Sequence, residues 1–145
     1  MPTSYKAKQA LFSLLPKTPK NVFELGSGWG NLACSLAKHY PWAWIHAFEG
    51  SWFPWIVSLG LKKILGIHNL KISRKNFLKI SIKEADLVVC YLYPKAMEKL
   101  KSKFKKEMKP GTWIITNTFS IPGWIPIRTV ELNDLFGSKI YLYIN

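Results

Sequence analysis

The stretch that most constrains the fold is Val22–Gly30, VFELGSGWG, in which a short apolar run with an acidic residue leads into glycines at alternate positions. The first four residues predict a buried strand, and the apolar residues of Asn31–His39 return at helical spacing. The glycines Gly26, Gly28 and Gly30 therefore lie on a strand-to-helix turn. Glycine lets the backbone approach a ligand, and a helix start offers unpaired N–H groups. The stretch thus predicts a site for a nucleotide-like ligand.

Strand and helix patterns alternate along the first two-thirds of the chain, which predicts an α/β fold. We expect a Rossmann-like, seven-stranded, mainly parallel sheet with helices on both faces and an antiparallel closing strand. The length of 145 residues suits one domain over 1–145, with an N-terminal helix inside 1–20 packed on it. The predicted strands are Asn21–Leu25, Trp42–Phe48, Asn69–Ser73, Asp86–Tyr91, Thr112–Thr118, Ile127–Leu132 and Lys139–Ile144, and the predicted helices are Tyr5–Leu15, Asn31–Tyr40, Trp52–Leu65 and Pro94–Met108.

The formal net charge of +13 favours an acidic partner, whether nucleic acid, anionic lipid or an acidic protein surface. Cys34 and Cys90 both fall in apolar segments, which is typical of small buried side chains rather than of a disulfide. With no secretory signal pattern, we expect a reducing compartment, the cytoplasm. The three histidines show no metal-ligand spacing, so no metal is expected.

Two familiar phosphate-binding motifs do not fit the glycine turn. A dinucleotide fingerprint, G-x-G-x-x-G, would need a third glycine where the chain has Asn31. A P-loop would need Gly-Lys-Ser or Gly-Lys-Thr at the end of the turn, and that sequence does not occur there.

The pattern that is present, acidic-x-Gly-x-Gly-x-Gly, resembles the first motif of class I S-adenosylmethionine-dependent methyltransferases. Further segments along nearly the whole chain resemble the small seven-strand protein-lysine methyltransferases, a group that includes an archaeal broad-specificity enzyme and mitochondrial enzymes. These segments are PTSYKAKQALFSLL, ELGSGWG, HAFEGSWFPWIVSL, RKNFLKI, DLVVCYLYP, KPGTWIIT and FSIPGWIP. The resemblance implies methyl transfer from S-adenosyl-L-methionine to lysine amines, with S-adenosyl-L-homocysteine as the product.

The same resemblance implies which residues hold the cofactor. An acidic residue at the end of the second strand would bind the ribose, and Glu49 lies 23 positions after Gly26, near the spacing of about 20 that a strand-helix-strand unit imposes. Asn76 and Phe77 would contact the adenine, although the family generally has Asp at the first of these positions. The methionine end would lie against the glycine turn, at Glu24, Gly26, Ser27, Gly28 and Gly30.

Two tyrosines follow the fourth predicted strand, at the ligand-binding end of the sheet. We expect Tyr91 and Tyr93, with the backbone carbonyl of Leu92, to orient the incoming amine, and Tyr91 also to contact the cofactor. The sequence is equally consistent with one of the two tyrosines packing in the core without contacting the amine. Pro94 and Trp124 are placed on the substrate side, where an aromatic ring such as Trp124 can hold an alkyl-ammonium group or else cover the core.

Two alternatives remain open at this point. A nucleic-acid methyltransferase is suggested by the basic surplus, but enzymes that modify base amino groups commonly have Asn/Asp-Pro-Pro-Tyr/Phe after the fourth strand. The matching stretch here is Cys90, Tyr91, Leu92, Tyr93 and Pro94. A catalytically silent adaptor is suggested by Trp29, where an acidic residue is common, and by the amide at Asn76. We expect a protein partner with an accessible lysine, possibly in an acidic context, no transmembrane segment, and an oligomeric state that the sequence does not define.

Overall fold

Strands alternate with helices in a computed structural model that describes residues 3–145. Its elements agree with the predicted ones to within two residues at either end. Met1 and Pro2, the first residues of the predicted domain, lie outside the described residues. The helices are α1 (Tyr5–Ser13), α2 (Asn31–His39), α3 (Trp52–Ile64) and α4 (Pro94–Glu107), and the strands are β1 (Asn21–Leu25), β2 (Trp44–Phe48), β3 (Leu70–Ser73), β4 (Leu87–Cys90), β5 (Trp113–Asn117), β6 (Arg128–Glu131) and β7 (Lys139–Ile144).

The strands form one seven-stranded sheet in the order β3-β2-β1-β4-β5-β7-β6. Strands β1 to β5 run parallel to one another, β7 pairs antiparallel with β5, and β6 pairs antiparallel with β7. This sheet confirms the predicted α/β fold. The carboxyl ends of β1, β2, β3 and β4 meet at one edge, where an open parallel sheet binds its ligands.

Alternate side chains of each strand pack into separate cores on the two faces of the sheet. In β1, Val22 belongs to the core beneath α1, α2 and α3, which also contains Leu36. Phe23 and Leu25 belong to the opposite core, which contains Leu100 of α4. The strand is therefore buried on both sides, and its end is held firmly where the glycine turn begins.

The connection between β3 and β4, residues 74–86, forms turns in place of a helix. Because no helix of residues 3–145 covers β2 and β3 on the α4 side, an open groove of about 650 Å³ remains there. We call it the β3 groove. Its lining residues are Phe23, His46, Phe48, Lys71, Ser73, Lys75, Asn76, Lys79, Ile80 and Ser81.

The stretch 41–61 carries a single formal charge, at Glu49, and its length invites comparison with a membrane span. The structure divides it among β2, a turn and the first part of α3. Within residues 3–145, none of the helices combines the length and the apolar character that crossing a bilayer requires.

Candidate functional site

The glycine turn is tied to the end of the neighbouring strand. The backbone N–H groups of Gly26 and Ser27 both donate to the carbonyl oxygen of Phe48, at 2.9 and 3.0 Å, and the N–H of Gly30 donates to Ser27 at 3.1 Å. Phe48 is the last residue of β2 and pairs with Leu25 in the parallel ladder. This arrangement fixes the turn directly beside Glu49, the next residue after β2.

The turn needs glycine most strictly at Gly30, which caps the N-terminus of α2 with a left-handed φ of 89°. A Cβ atom there would lie 2.7 Å from Cβ and 3.2 Å from Cα of Ser58, so α2 and α3 approach each other too closely for a side chain. No side chain caps the start of α2. Its first N–H groups therefore remain available to a ligand at the turn.

Two carboxylates face the cavity beside this turn. Glu24 is only 5% exposed, and its Oε2 atom has no hydrogen-bond partner among residues 3–145. The buried hydroxyl of Ser27 likewise lacks a partner within that part of the chain. Glu49 is half-buried, and its Oε1 atom accepts a hydrogen bond from the backbone N–H of Gly50 at 3.1 Å.

Burial raises the pKa of Glu24 from its ordinary value of 4.5 to about 8, and repulsion from Glu49 contributes to the rise. Burying a carboxylate without a cation or hydrogen-bond donors is costly, so the group retains its proton. A cation placed between the two carboxyl groups would screen their repulsion and lower the free-energy cost of ionising the buried Glu24. The arrangement is therefore suited to a positively charged ligand.

The cavity has a volume of about 270 Å³, and we call it the glycine-turn pocket. Among residues 3–145, its lining includes no Lys or Arg, despite the strongly basic composition of the chain. It brings together seven of the predicted site residues. They are Glu24, Gly26, Ser27, Gly28, Glu49, Tyr91 and Leu92.

Other predicted site residues lie elsewhere. Asn76 lines the β3 groove, where its Oδ1 atom accepts a hydrogen bond from the backbone N–H of Leu78 at 2.9 Å. Phe77 is half-buried against the core on the α4 side of the sheet. A ligand that reached both the glycine turn and Asn76 would have to extend past the end of β2.

The two tyrosines after β4 have different environments. Tyr91 is half-buried beside the glycine-turn pocket. Tyr93 is 61% exposed and precedes α4, where its carbonyl oxygen accepts hydrogen bonds from the N–H groups of Ala96 and Met97. Pro94 opens α4 and is exposed.

Trp124 is half-buried in the core on the α4 side of the sheet. Its ring centroid lies 6.3 Å from that of Phe104 and 6.2 Å from that of Tyr143. These contacts hold the ring against the core, and its contact with the alkyl-ammonium group of the substrate stays a prediction.

The pocket also contains residues that the sequence did not single out as cofactor contacts. Asn31 begins α2 directly after the turn, and Pro54 lies in the first turn of α3, soon after Glu49. The sequence could have indicated both residues, because each follows predicted ligand residues closely along the chain. Trp29 lines the pocket too, but its ring packs edge-on against Phe53 of α3, with centroids 5.7 Å apart. The remaining lining residues are Thr3 and Leu32.

The strand order, the antiparallel last strands and the glycine turn beside an acidic residue define a class I methyltransferase fold. A crystal structure of an RNA methyltransferase from Salinibacter ruber, in complex with S-adenosyl-L-homocysteine, superposes with a TM-score of 0.88 at 24% identity, covering 99% of this chain and 93% of that one. The sequence profile of the ANTKMT methyltransferase domain matches residues 24–128. The chain belongs to that family, which confirms the resemblance drawn from the sequence.

Two curated relatives carry lysine methyltransferase names. A protein-lysine N-methyltransferase of Saccharolobus islandicus is 36% identical over 74 residues, covering 50% of this chain and 46% of the relative. The adenine nucleotide translocase lysine N-methyltransferase of Mus musculus is 27% identical over 135 residues, covering 88% of this chain and 56% of the relative. The chain thus spans about half the length of the curated relatives that it matches.

Proposed function

We propose that this chain is an S-adenosylmethionine-dependent methyltransferase that acts on lysine side chains of proteins. The observation that carries the proposal is the glycine-turn pocket, in which Glu24 and Glu49 face one cavity with no lysine or arginine in its lining. Membership of the ANTKMT methyltransferase domain family and the names of the two relatives support the choice of reaction and of substrate.

The pocket's chemistry fits S-adenosylmethionine, which carries a sulfonium and an ammonium cation as well as ribose hydroxyls. Glu24 Oε2 and Ser27 Oγ lack partners among residues 3–145 and are available to the methionine end. The backbone of Gly26 would line the same end, and the N–H groups of Gly28 and of the start of α2 after Gly30 would be available to it.

Glu49 would accept hydrogen bonds from the ribose hydroxyls. Its Oε1 atom already accepts from Gly50, which fixes the orientation of the carboxylate, and a carboxylate has acceptor capacity for further donors. The adenine would lie further along the strand ends, toward Asn76 and Phe77. Because Asn76 Oδ1 is engaged by Leu78, its amide N–H₂ group is the part that would donate to a ring nitrogen.

The cofactor supplies an electrophilic methyl group on a sulfonium centre. Transfer is an in-line displacement, for which the protein's main contribution is to align the two reactants and exclude water. The attacking lysine must be neutral, with its lone pair directed at the methyl group. We assign its orientation to the Tyr91 hydroxyl and the Leu92 carbonyl beside the pocket, and the binding of the substrate's outer part to Tyr93 and Pro94.

Transfer of a labelled methyl group tests this proposal. The protein is incubated with labelled S-adenosylmethionine and a cell lysate, and the products are treated with nuclease or with protease. We expect the label to survive nuclease and to be released by protease, and acid hydrolysis to yield methyllysine. Label that is released by nuclease would instead support the nucleic-acid alternative, and the absence of label with saturable cofactor binding would support a silent adaptor.

A matched variant ties the activity to the site. Tyr91→Phe removes only the hydroxyl, and we expect it to lower the transfer rate at least about tenfold with little change in cofactor affinity. Tyr141→Phe, on β7 outside the pocket, is the control and should leave the rate unchanged. Equal rates for Tyr91→Phe and the native protein would remove the Tyr91 hydroxyl from the mechanism.

A further inference from the structure

The outward side of α3 is apolar, whereas the outward side of a surface helix is usually polar. Ser58 is the completely buried residue of α3, and it packs against Gly30. Trp55, Leu59 and Leu61 pack partly buried against the core. Other large apolar side chains of the helix point outward, and Ile64 is 83% and Trp52 61% exposed. We call the exposed apolar residues the α3 face. They are Trp52, Phe53, Ile56, Val57 and Ile64.

The α3 face continues onto the glycine turn. Trp29 is partly exposed and packs edge-on against Phe53, whose ring centroid lies 6.0 Å from that of Trp52. Three aromatic rings therefore form a contiguous exposed cluster beside the glycine-turn pocket. Contiguous apolar surface of this kind marks interaction sites, whereas single exposed apolar residues are ordinary.

The surroundings of the α3 face are positively charged. The sequences of α1, α2 and α3 contain no Asp or Glu. By contrast, α4 on the other side of the sheet contains two glutamates among its lysines. The lysines of the α1–α3 layer are Lys6, Lys8, Lys38, Lys62 and Lys63.

We propose that the α3 face docks this protein onto the surface of a membrane that contains anionic lipids. Tryptophan and phenylalanine partition into the bilayer interface, and lysines around them are attracted to anionic headgroups. The 13 residues of α3 rise about 20 Å, less than the ~30 Å of a bilayer core, so the helix is too short to cross it. Its apolar outward side would instead lie along the plane of the interface.

Charge argues for a lipid surface over a second copy of the chain. Two copies of a chain with a net charge of +13 repel each other, and the acid-free layer around α3 would bring lysines face to face. Docking through α3 would also place the mouth of the glycine-turn pocket close to the membrane, because Trp29 and Pro54 border the pocket.

Sedimentation with vesicles tests the proposal independently of any methyl transfer. The full chain is mixed at low salt with vesicles of phosphatidylcholine alone or of phosphatidylcholine with phosphatidylserine. We expect binding to the anionic vesicles that weakens as salt is added. The double variant Trp52→Glu/Ile56→Glu should lower the partition coefficient at least about tenfold, since it removes apolar contacts from the interface.

The control is Ile125→Glu/Leu135→Glu, which lowers the net charge by the same amount at positions that are 91% and 98% exposed but outside the α3 face. It should retain most of the binding. Thermal unfolding checks that the variants fold, and the single change Ile64→Glu replaces the α3 pair if that pair does not fold.

Three results would overturn the proposal. One is that the native chain does not bind anionic vesicles. Another is that the control loses as much binding as the α3 pair, which would make the attraction one of net charge alone. The third is self-association in sedimentation velocity that the α3 pair abolishes, which would identify a second copy of the chain as the occupant of the face.

Discussion

The glycine-turn pocket and the β3 groove are neighbours with opposite chemistry. The pocket presents Glu24 and Glu49 without a lysine, and the groove presents Lys71, Lys75 and Lys79 without an acidic residue. The chain has a net charge of +13, so the lysines of the groove are what its composition leads one to expect, whereas the acidic lining of the pocket is not. Burying Glu24 costs stability in the free protein, and a cationic ligand would offset that cost. The difference is what we expect if the cationic methionine end of the cofactor binds in the pocket, while the lysines of the groove are solvated and only the end of the groove at Asn76 approaches the adenine.

The largest effect is expected from adding a side chain where α2 and α3 approach each other beside the pocket. Gly30→Ala combines left-handed strain with a clash against the backbone of Ser58, so we expect it to lower the free energy of unfolding by about 3 kcal/mol. Urea denaturation measures this loss.

The control for that change is Gly28→Ala in the same turn. Gly28 also has a positive φ, but a Cβ there meets no atom within 4 Å. We expect a loss of about 1 kcal/mol from strain alone. If the two variants were equally destabilised, the close approach of α2 and α3 would not be what requires glycine at position 30.

The next effect concerns the proton on Glu24. The folded protein keeps this proton between about pH 4.5 and pH 8, whereas the unfolded chain has released it, so the folded state loses stability as the pH rises across that window. Glu24→Gln removes this dependence. We expect the free energy of unfolding of the variant, relative to that of the native protein, to rise by about 2 kcal/mol from pH 6 to pH 8. Urea denaturation at both pH values measures the difference. If the free energies of unfolding of the two proteins changed equally between pH 6 and pH 8, Glu24 would be ionised in the folded state across that range.

The smallest effect is expected in the groove. Lys79 is exposed, so Lys79→Gln should change the free energy of unfolding by less than about 0.5 kcal/mol. Its affinity for S-adenosylmethionine, measured by calorimetry, should stay within about twofold of the native value because the change is outside the pocket. A loss of cofactor affinity greater than about fivefold would mean that the lysines of the groove contact the cofactor, and would remove the contrast between the two regions.

The sequence predicts the sheet well because apolar runs, glycines and prolines mark its elements directly. It also predicts that Glu24 and Glu49 approach each other, since parallel pairing of β1 and β2 brings their ends together. It does not predict the insertion of β7 between β5 and β6, because strand order at an antiparallel edge depends on long-range pairing.

Side-chain directions are less predictable than the elements that carry them. Asn76 follows β3 as expected, but its local turn directs it into the β3 groove. Trp124 lies on the expected loop and packs in the core. The sequence also does not predict which side of α3 is exposed, because a helix that is apolar nearly all round has no periodicity to show which side meets the sheet.

Calorimetric titration with S-adenosylmethionine tests most directly whether the glycine-turn pocket binds the cofactor. We expect saturable binding by the native protein, and Glu49→Gln should bind about 10 to 100 times more weakly with an unchanged unfolding temperature, because hydrogen bonds to a charged acceptor are lost. No saturable binding by the native protein in the micromolar to millimolar range, or equal affinity of the variant, would contradict the account.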